Sequence, residues 1–236
     1  MKNFKKHDCV TCAIRTMTVF REMNKNFLVE MNQRKTENLY HKGHIVFYEN
    51  MKPFGVHCIS EGAVKLYKTN VEGKQTILRI ARAGEVIGMR ALFSGEPYAS
   101  TCEVIHDAII CFIDHETVFK LVKDSPKLAT SIIQQMSHEL GDYEKKFHSL
   151  AHKTVRERLA ELFIELKDVF GVKEKDGIRL NVNLYRDEMA QMIGTAPETL
   201  IRLLSEFKED GIVATKGRTI VILDEKKLTK TANLDI

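Results

Sequence analysis

The chain has no apolar run that approaches the length of a membrane-spanning helix. Its first residues include Lys2, Lys5 and Lys6 and lack the apolar stretch of a secretion signal. The five cysteines are an odd number, which is typical of a reducing compartment rather than of a disulfide framework. These absences argue against a membrane or secreted protein and predict a cytoplasmic one.

Motifs of common enzymes are also missing. The sequence contains no phosphate-binding loop, no nucleophile elbow and no paired-carboxylate signature, so we do not expect an enzyme. Its 236 residues suffice for two modest domains. A net charge of +4 permits DNA binding without indicating it, because Lys and Glu are spread along the chain. Any contact with DNA must therefore come from a local patch.

The segment Asn183–Leu223 carries the most specific pattern in the chain. Met189, Met192 and Ile193 form an apolar face at helical spacing. Gly194 follows, and glycine adopts a left-handed backbone at little cost. This pattern predicts a helix that ends in a tight turn.

A second helix is predicted directly after the turn. Thr195 and Glu198 have the spacing of a capping box, and Pro197 falls in the first turn, where its missing N–H is not needed. The buried back of this helix is predicted to consist of Leu200, Leu203, Leu204 and Phe207. The outer face near its start, where such helices touch base edges, carries Glu198, Thr199 and Arg202.

A short β-hairpin with a basic tip is predicted to follow, because two β-rich runs flank Lys216-Gly217-Arg218. Lys216 and Arg218 are placed there to contact phosphates. The two helices alone are also consistent with a generic helical hairpin. Helix, turn, helix and wing in this order predict a winged helix-turn-helix, which places one helix in the DNA major groove.

Between Lys42 and Ile113 the pattern changes to short apolar runs separated by turn residues, which predicts an antiparallel sandwich or barrel. An amphipathic helix over Thr16–Lys35 is predicted to precede it, and a short helix over His115–Lys123 to close it. The predicted strands are His44–Tyr48, Val56–Ile59, Ala63–Lys68, Thr76–Ile80, Val86–Gly88, Thr101–Val104 and Ala108–Ile113.

A long helix is predicted next, with Ser125 as its N-cap and Pro126 in its first turn. Apolar residues then recur at alternating steps of four and three, the heptad spacing of a coiled coil. The repeat consists of Ala129, Ile133, Met136, Leu140, Tyr143, Phe147 and Leu150. We predict that it forms a dimer seam. The alternative is a helix that lies on its own barrel.

A break near His152–Thr154 predicts a hinge, and Val155–Phe170 predicts an amphipathic helix that ends at Gly171. The expected fold class is α+β, with an antiparallel β-roll, a long helix and a winged helix-turn-helix. The expected domains are a tail over residues 1–15, the β-roll over 16–124, the dimerisation helix over 125–153 and the DNA-binding domain over 154–236.

This order of parts is similar to that of the CRP/FNR family of bacterial transcription factors, over nearly the whole chain. The motifs that carry the resemblance are Val155–Ala160, Gly194, Glu198-Thr199 and Arg202. The resemblance implies that Glu198 accepts a hydrogen bond from cytosine N4 and that Arg202 donates to guanine.

The chain departs from both branches of the family at the same helix. Ile201 stands where the FNR branch has serine, and Pro197 where the cyclic AMP receptor branch has arginine, so neither operator can be assumed. Ile201 is expected to touch a thymine methyl or to pack. The candidate DNA contacts are Thr195, Pro197, Glu198, Thr199, Ile201, Arg202, Lys216 and Arg218.

The family's cyclic-nucleotide pocket resembles the stretch Val86–Thr101. Cyclic AMP binders use a Glu just after its Gly and an Arg before its Ser, where this chain has Met89 and Ala99. Burying a phosphate that has no guanidinium partner costs free energy. Arg90 lies nearby but is displaced by one residue from the position that contacts the nucleotide in cyclic AMP binders. We therefore do not expect cyclic AMP as the effector. The candidate effector pocket is Gly88, Met89, Arg90, Ala99, Ser100, Thr101 and Tyr143.

FNR-type members carry an N-terminal cysteine cluster plus one β-roll cysteine. This chain has the C-x-x-C pair Cys9 and Cys12 and no third cysteine before Cys58. The cysteines in predicted strands, where buried thiols are usual, are Cys58, Cys102 and Cys111. A four-thiolate cluster would need two of them to reach the tail. Without such a cluster, three roles remain for Cys9 and Cys12. They could form half of a zinc or iron site with His7 as a third ligand, they could act as a redox pair, or they could be unused thiols.

Haem is a third candidate cofactor, since some family members sense gases through it. The histidines that could ligate it are His41, His44, His57, His106, His138 and His148. None of them stands in a specific motif, and a surface or hydrogen-bonded role is the alternative for each.

We predict a homodimeric, sequence-specific transcription regulator that binds a roughly palindromic operator, with RNA polymerase as a further partner. The alternative class is a nucleotide-binding module that regulates an attached activity without recognising DNA. The wing and the second helix argue against this alternative.

Overall fold

The computed structural model describes residues 7–233, and the lysine-rich start of the chain lies outside them. The chain divides into two compact units, Met1–Lys74 with Leu78–Gly141 and Gln75–Ile77 with Asp142–Ile236. The predicted domain boundaries at 15, 124 and 153 remain predictions. Among the described residues, no helix is long and apolar enough to cross a membrane.

The first unit begins with two 3-10 helices, Ala13–Met17 and Val19–Glu22. The first α-helix, α1, follows at Lys25–Arg34. The prediction of one helix over Thr16–Lys35 was therefore wrong. Thr18 and Met23 are extended, and the side chains of Thr18 and Asn24 accept hydrogen bonds from backbone N–H groups two and three residues ahead. These local bonds start new helices and so compete with a continuous one.

An antiparallel sheet forms the centre of the first unit, as predicted. Its strands are β1 Thr36–Tyr40, β2 Ile45–Phe47, β3 Gly55–Thr69, β4 Gln75–Arg82, β5 Val86–Ile87 and β6 Thr101–Asp114. The main path of the sheet runs β1-β6-β3-β4, while β2 pairs with β6 and β5 with β3. The polar strand β1 was not predicted, because its sequence TENLY has no apolar alternation.

Strands β3 and β6 each join two segments that the sequence predicted as separate strands. Gly62 lies inside β3 with φ +84°, and the register shifts on either side of it. A Cβ at Gly62 would lie 2.3 Å from the carbonyl oxygen of Asp107. Glycine therefore acts here as a bulge within one long strand rather than as a turn between two.

Two apolar clusters lie on opposite faces of β3, because successive side chains of a strand point to opposite sides. Val56 belongs to the cluster that packs against the helices, and Ile59 to the cluster inside the roll. The helix-side cluster also contains Cys9, Phe20 and Leu128. The N-terminal segment is therefore part of the core of this unit.

Three helices complete the path to the second unit: α2 Met89–Ser94, α3 His115–Asp124 and α4 Pro126–His152. The Ser125 hydroxyl accepts a hydrogen bond from the Leu128 N–H at 3.3 Å, which confirms Ser125 as the cap of α4. The buried residues of α4 are Leu128, Ser131 and Ile132, all near its start. The predicted break follows at Lys153, and Thr154 caps the next helix with a capping box to Glu157.

The second unit contains α5 Val155–Phe170, β7 Gly171–Glu174, β8 Gly177–Leu180, α6 Arg186–Ile193, α7 Pro197–Glu209, β9 Val213–Lys216, β10 Thr219–Ile222 and α8 Glu225–Thr231. The helix α5 and the hairpin β9–β10 confirm the predictions. The hairpin β7–β8 was not predicted, and it widens the wing into a sheet of order β7-β8-β10-β9. Phe163 of α5 and Phe207 of α7 pack edge to face in the core of this unit.

Candidate nucleic-acid interface and sensor site

The turn between α6 and α7 is set by Gly194, as predicted. Its backbone is left-handed, with φ 65° and ψ 51°, and its N–H donates to carbonyl groups in the last turn of α6. A Cβ at this position would lie 3.2 Å from the side chain of Leu150. Both the left-handed conformation and the close approach of Leu150 favour glycine at the end of α6. Helix α7 then starts at Pro197.

The predicted cap of α7 was wrong. The N-cap is Ala196, which has no polar side chain to cap the helix, and Pro197 occupies the first helical position. A residue before proline is held in the extended region, and Ala196 has φ −77° and ψ 148°. Thr195 therefore lies one residue too early to pair with Glu198 in a capping box.

Helix α7 separates an apolar back from a polar front. The back is buried and consists of Leu200, Leu203, Leu204 and Phe207, as predicted. On the front, Glu198 is exposed, Ile201 is 53% exposed, and the Arg202 side chain is 66% exposed. Thr199 is half-buried.

A chain of ion pairs holds the front of α7. The Arg202 guanidinium donates to Glu206, which also accepts from Arg156 of α5 at 2.9 Å. Arg156 pairs further with Asp210 and lies over the ring of Phe207. Sequence reasoning missed Glu206 and Arg156, although the i, i+4 spacing of Arg202 and Glu206 was a visible signal.

The wing tip lies beside the start of α6. Lys216 and Arg218 are exposed on either side of Gly217. The Gly217 carbonyl accepts a hydrogen bond from Arg186 at 2.9 Å, and the Arg218 guanidinium lies 4.7 Å from the centre of the Tyr185 ring. Two interactions with the start of α6 thus hold the basic tip of the wing in place.

The predicted effector pocket is divided between buried and exposed residues. Met89, Ser100 and Thr101 are buried, Gly88 is half-buried, whereas Arg90 and Ala99 are exposed. The Arg90 guanidinium pairs with Glu96 and donates to the Pro97 carbonyl at 3.2 Å. Tyr143 lies on α4 in the second unit and is exposed.

Aromatic side chains that the sequence analysis missed fill the roll beside Gly88. The Tyr98 ring stacks on Phe47 at 3.8 Å, and it lies 3.3 Å from where a Cβ of Gly88 would be. Next to Phe47 lies His57, packed on its other side against Phe112. Burial raises the pKa of Tyr98 to about 12 and lowers that of His57 to about 4. The sequence signal that could have identified Tyr98 as a pocket residue is its position directly before Ala99, within the stretch predicted as the effector pocket.

The thiols are also distributed unevenly. All five cysteines are free, and Cys102 lies inside the roll. The other four line one pocket on the helix side of the sheet: Cys9, Cys12, Cys58 and Cys111. Among residues 7–233, no three His, Cys, Asp or Glu side chains lie in the arrangement of a metal site. The predicted haem ligands include one buried histidine in the described part of the chain, His57.

Comparisons with known proteins match both parts of the chain. The Crp-like helix-turn-helix domain family matches residues 157–231, and the cyclic nucleotide-binding domain family matches residues 37–125. The fumarate and nitrate reduction regulatory protein of Vibrio cholerae is 25% identical over 227 residues, 96% of this chain and 90% of that protein.

Two further proteins extend the comparison. The CRP-like cAMP-activated global transcriptional regulator of Mycobacterium tuberculosis is 22% identical over 214 residues, 91% of this chain and 96% of that protein. The structure of FixK2 from Bradyrhizobium japonicum has a TM-score of 0.76 at 23% identity, and the match covers 86% of this chain and 99% of that one.

The fold and these matches define a DNA-binding transcription regulator with a cyclic-nucleotide-binding-like domain. Both matched regions are similar to the domains of CRP/FNR regulators, in agreement with the resemblance seen in the sequence. The relatives of this chain are transcription regulators rather than enzymes, in agreement with the prediction from the sequence.

Proposed function

We propose that the protein works as a homodimer that reads a roughly palindromic operator with one α7 helix in each half-site. The observation that carries this proposal is the division of α7 into a buried apolar back and an exposed front with Glu198, Ile201 and Arg202. A helix held in this way can enter a major groove without disturbing the core behind it.

The front of α7 has the chemistry for direct readout of bases. Glu198 can accept from cytosine N4, and Arg202 can donate two hydrogen bonds to guanine O6 and N7. Ile201 lies between them and presents an apolar surface that suits a thymine methyl. In the free protein Glu206 holds the Arg202 guanidinium, so binding to guanine requires Arg202 to rearrange this ion pair or to share it.

The wing supplies contacts that do not depend on sequence. Lys216 and Arg218 are exposed at the tip, and Arg186 and Tyr185 limit the movement of that tip. Cations in a restrained loop suit the phosphate backbone, because each phosphate contact releases condensed counterions. We assign to Lys216 and Arg218 the role of positioning α7 on the duplex.

Dimerisation is assigned to the seam of α4. Ile133, Leu140 and Phe147 are one heptad apart and are 65%, 61% and 75% exposed in the single chain. Tyr143 and Leu150 on the same seam are also exposed. Met136 of the predicted seam packs against the helix-side core, but the other seam residues named here are exposed. The alternative of a helix lying on its own barrel therefore leaves this apolar stripe in water. Pairing with a second copy removes the stripe from water.

Cyclic AMP is not the proposed effector. The Tyr98–Phe47 stack occupies the interior beside Gly88, and Arg90 is paired with Glu96 on the surface. A cyclic phosphate would have to displace an aromatic ring and would then lack a guanidinium partner. We place the protein in the cytoplasm and infer RNA polymerase as a further partner, both from its family.

Selection of DNA from a random duplex pool by the purified full-length protein tests the proposed function. We expect an enriched motif with two-fold symmetry and binding that weakens steeply with salt. Lys208 is exposed near the end of α7, so Lys208→Ala is a matched control that should select the same motif. Enrichment of no motif, or of one without two-fold symmetry, would contradict the proposal.

A further inference from the structure

Arg202 lies between two carboxylates on its own helix. Glu198 is four residues before it and Glu206 four residues after it, so both are neighbours of Arg202 on the surface of α7. In an isolated helix, the better ion pair at this spacing is the one whose acidic member comes first in the sequence. The structure shows the opposite pair, because Nη1 of Arg202 donates to Oε1 of Glu206.

Glu206 is also held from a second side. The other oxygen of its carboxylate, Oε2, accepts a hydrogen bond from Arg156 of α5 at 2.9 Å. Arg156 donates further to Asp210, and its guanidinium carbon lies 4.8 Å from the centre of the fully buried Phe207 ring. Arg156 therefore fixes the Glu206 carboxylate to the core of this unit, and each oxygen of that carboxylate has its own guanidinium.

This anchoring explains which carboxylate Arg202 pairs with. An exposed ion pair loses much of its Coulomb energy to the side-chain entropy that both partners give up. Arg156 already orders Glu206, whose side chain is 35% exposed. Glu198 is exposed in the first turn of α7 and has no ion pair in the part of the chain that the structure describes. Pairing with Glu206 therefore costs Arg202 less entropy than pairing with Glu198.

Both base-reading side chains consequently stay available. Glu198 keeps its whole carboxylate for the amino group of cytosine. Arg202 uses only Nη1, and its Nε and Nη2 have no hydrogen-bond partner among residues 7–233. These two nitrogens form one edge of the planar guanidinium, and that edge can donate to guanine O6 and N7. Arg202 can therefore contact guanine without leaving Glu206.

We propose that Glu206 is a positioning residue that determines the specificity of DNA recognition. It holds Arg202 away from Glu198 and so keeps the two base-reading side chains apart. Arg156 supports this role by fixing Glu206, and both residues act through Arg202 rather than through a base contact of their own. The inference rests on the proposed docking of α7 in the major groove.

Removal of Glu206 leaves Glu198 as the remaining carboxylate four residues from Arg202. The two base-reading side chains then pair with each other, and each has to break this pair before it contacts its base. Glu206→Ala should therefore lower discrimination about two- to fivefold at the guanine that Arg202 reads and at the cytosine that Glu198 reads, the range of an exposed ion pair. Discrimination at the other positions of the operator should not change.

Glu209→Ala is the matched control. Glu209 is exposed on α7, seven residues after Arg202 and therefore on the same face of the helix. Each variant removes one negative charge near the phosphates, so both should bind unrelated DNA somewhat more tightly than the parent protein does. Discrimination at the two positions should fall in Glu206→Ala and stay at the parent value in Glu209→Ala. A variant that misfolds loses affinity for all DNA and does not show this pattern.

The experiment titrates the full-length protein with the selected operator, with single-base variants at the two positions and with unrelated DNA. A double-mutant cycle with Arg202→Ala tests whether Glu206 acts through Arg202. In that background Glu206 has no base-reading guanidinium to hold, so Glu206→Ala should have no further effect on discrimination. An effect that persists without Arg202, or undiminished discrimination in the single Glu206→Ala variant, would overturn the proposal.

The same titrations separate this inference from the proposed function. If the parent protein selects a two-fold symmetric motif and Glu206→Ala discriminates as well as the parent does, only the role of Glu206 is refuted. If the parent protein selects no motif, the proposed function fails, and the role of Glu206 fails with it.

Discussion

At the scale of single residues, Arg202 can pair with the Glu206 carboxylate on its own helix or with a guanine in DNA. Arg202→Ala should cost about 1–3 kcal/mol of specific binding, because a bidentate contact to guanine is lost. Preference should relax at one base pair in each half-site. Binding constants for the selected operator and for single-base variants measure both effects. Unchanged discrimination would show that α7 docks differently.

Lys216 should behave differently from Arg202, because a phosphate contact carries no sequence information. Lys216→Ala should weaken binding to all DNA sequences alike and should reduce the slope of log affinity against log salt by about one. Titrations over a range of salt concentrations, on operator and on unrelated DNA, measure this change. A loss confined to the operator would contradict a phosphate contact.

His57 should make the stability of the protein depend on pH. Burial lowers its pKa from 6.5 to about 4, and its Nδ1 has no hydrogen-bond partner among the described residues. Between these pH values the unfolded chain binds a proton that the folded chain does not, so stability is full above about pH 6.5 and falls as the pH drops. We expect a loss of about 2 kcal/mol between pH 7 and 5 in urea unfolding.

His57→Leu should remove this part of the pH dependence, whatever its effect on stability at pH 7. His138 is exposed on α4, so His138→Gln is the matched control and should keep the full dependence. If His57→Leu shows the same slope as the parent protein, another group is responsible.

At the scale of elements, α4 carries the proposed dimer contact. Leu140→Glu should give monomers and should abolish operator binding at the same concentration, because it places a charge in an apolar seam without a partner. Sedimentation velocity and DNA titration on the same sample measure the two effects together.

Lys145→Glu provides the control for this prediction. The Lys145 side chain is 82% exposed and lies outside the heptad seam, so this variant should remain dimeric. A dimeric Leu140→Glu variant would show that the seam is not the contact.

Elements with strong local signals were predicted correctly. The helix α5 was predicted with its correct bounds, because Thr154 caps its start and its apolar period is unbroken.

Two predicted helix starts were wrong for local reasons. The start of α7 was predicted at the wrong residue, since Pro197 moves the N-cap to Ala196. The lead-in helix was wrong because hydrogen bonds from Thr18 and Asn24 divide it.

At the scale of the whole molecule, the choice of effector decides how the regulator is controlled. Calorimetric titration of the full-length protein with micromolar cyclic AMP should show no saturable heat, because Tyr98 fills the roll beside Gly88. Operator affinity should likewise be unchanged by cyclic AMP. One saturable site per subunit would show that the Tyr98 ring moves aside for the nucleotide.

The sequence by itself determined the order of the parts and the chemistry of the DNA-binding surface, because those signals lie within a few turns of chain. The apolar back of α7, the Gly194 turn and the basic wing tip are all of this kind. Only the tertiary structure decided which distant residues meet. Strand register places Cys58 opposite Cys111, and packing brings Cys9 and Cys12 to them and Tyr98 to Gly88. Pairing between strands far apart in sequence depends on the whole core, so no local pattern records it.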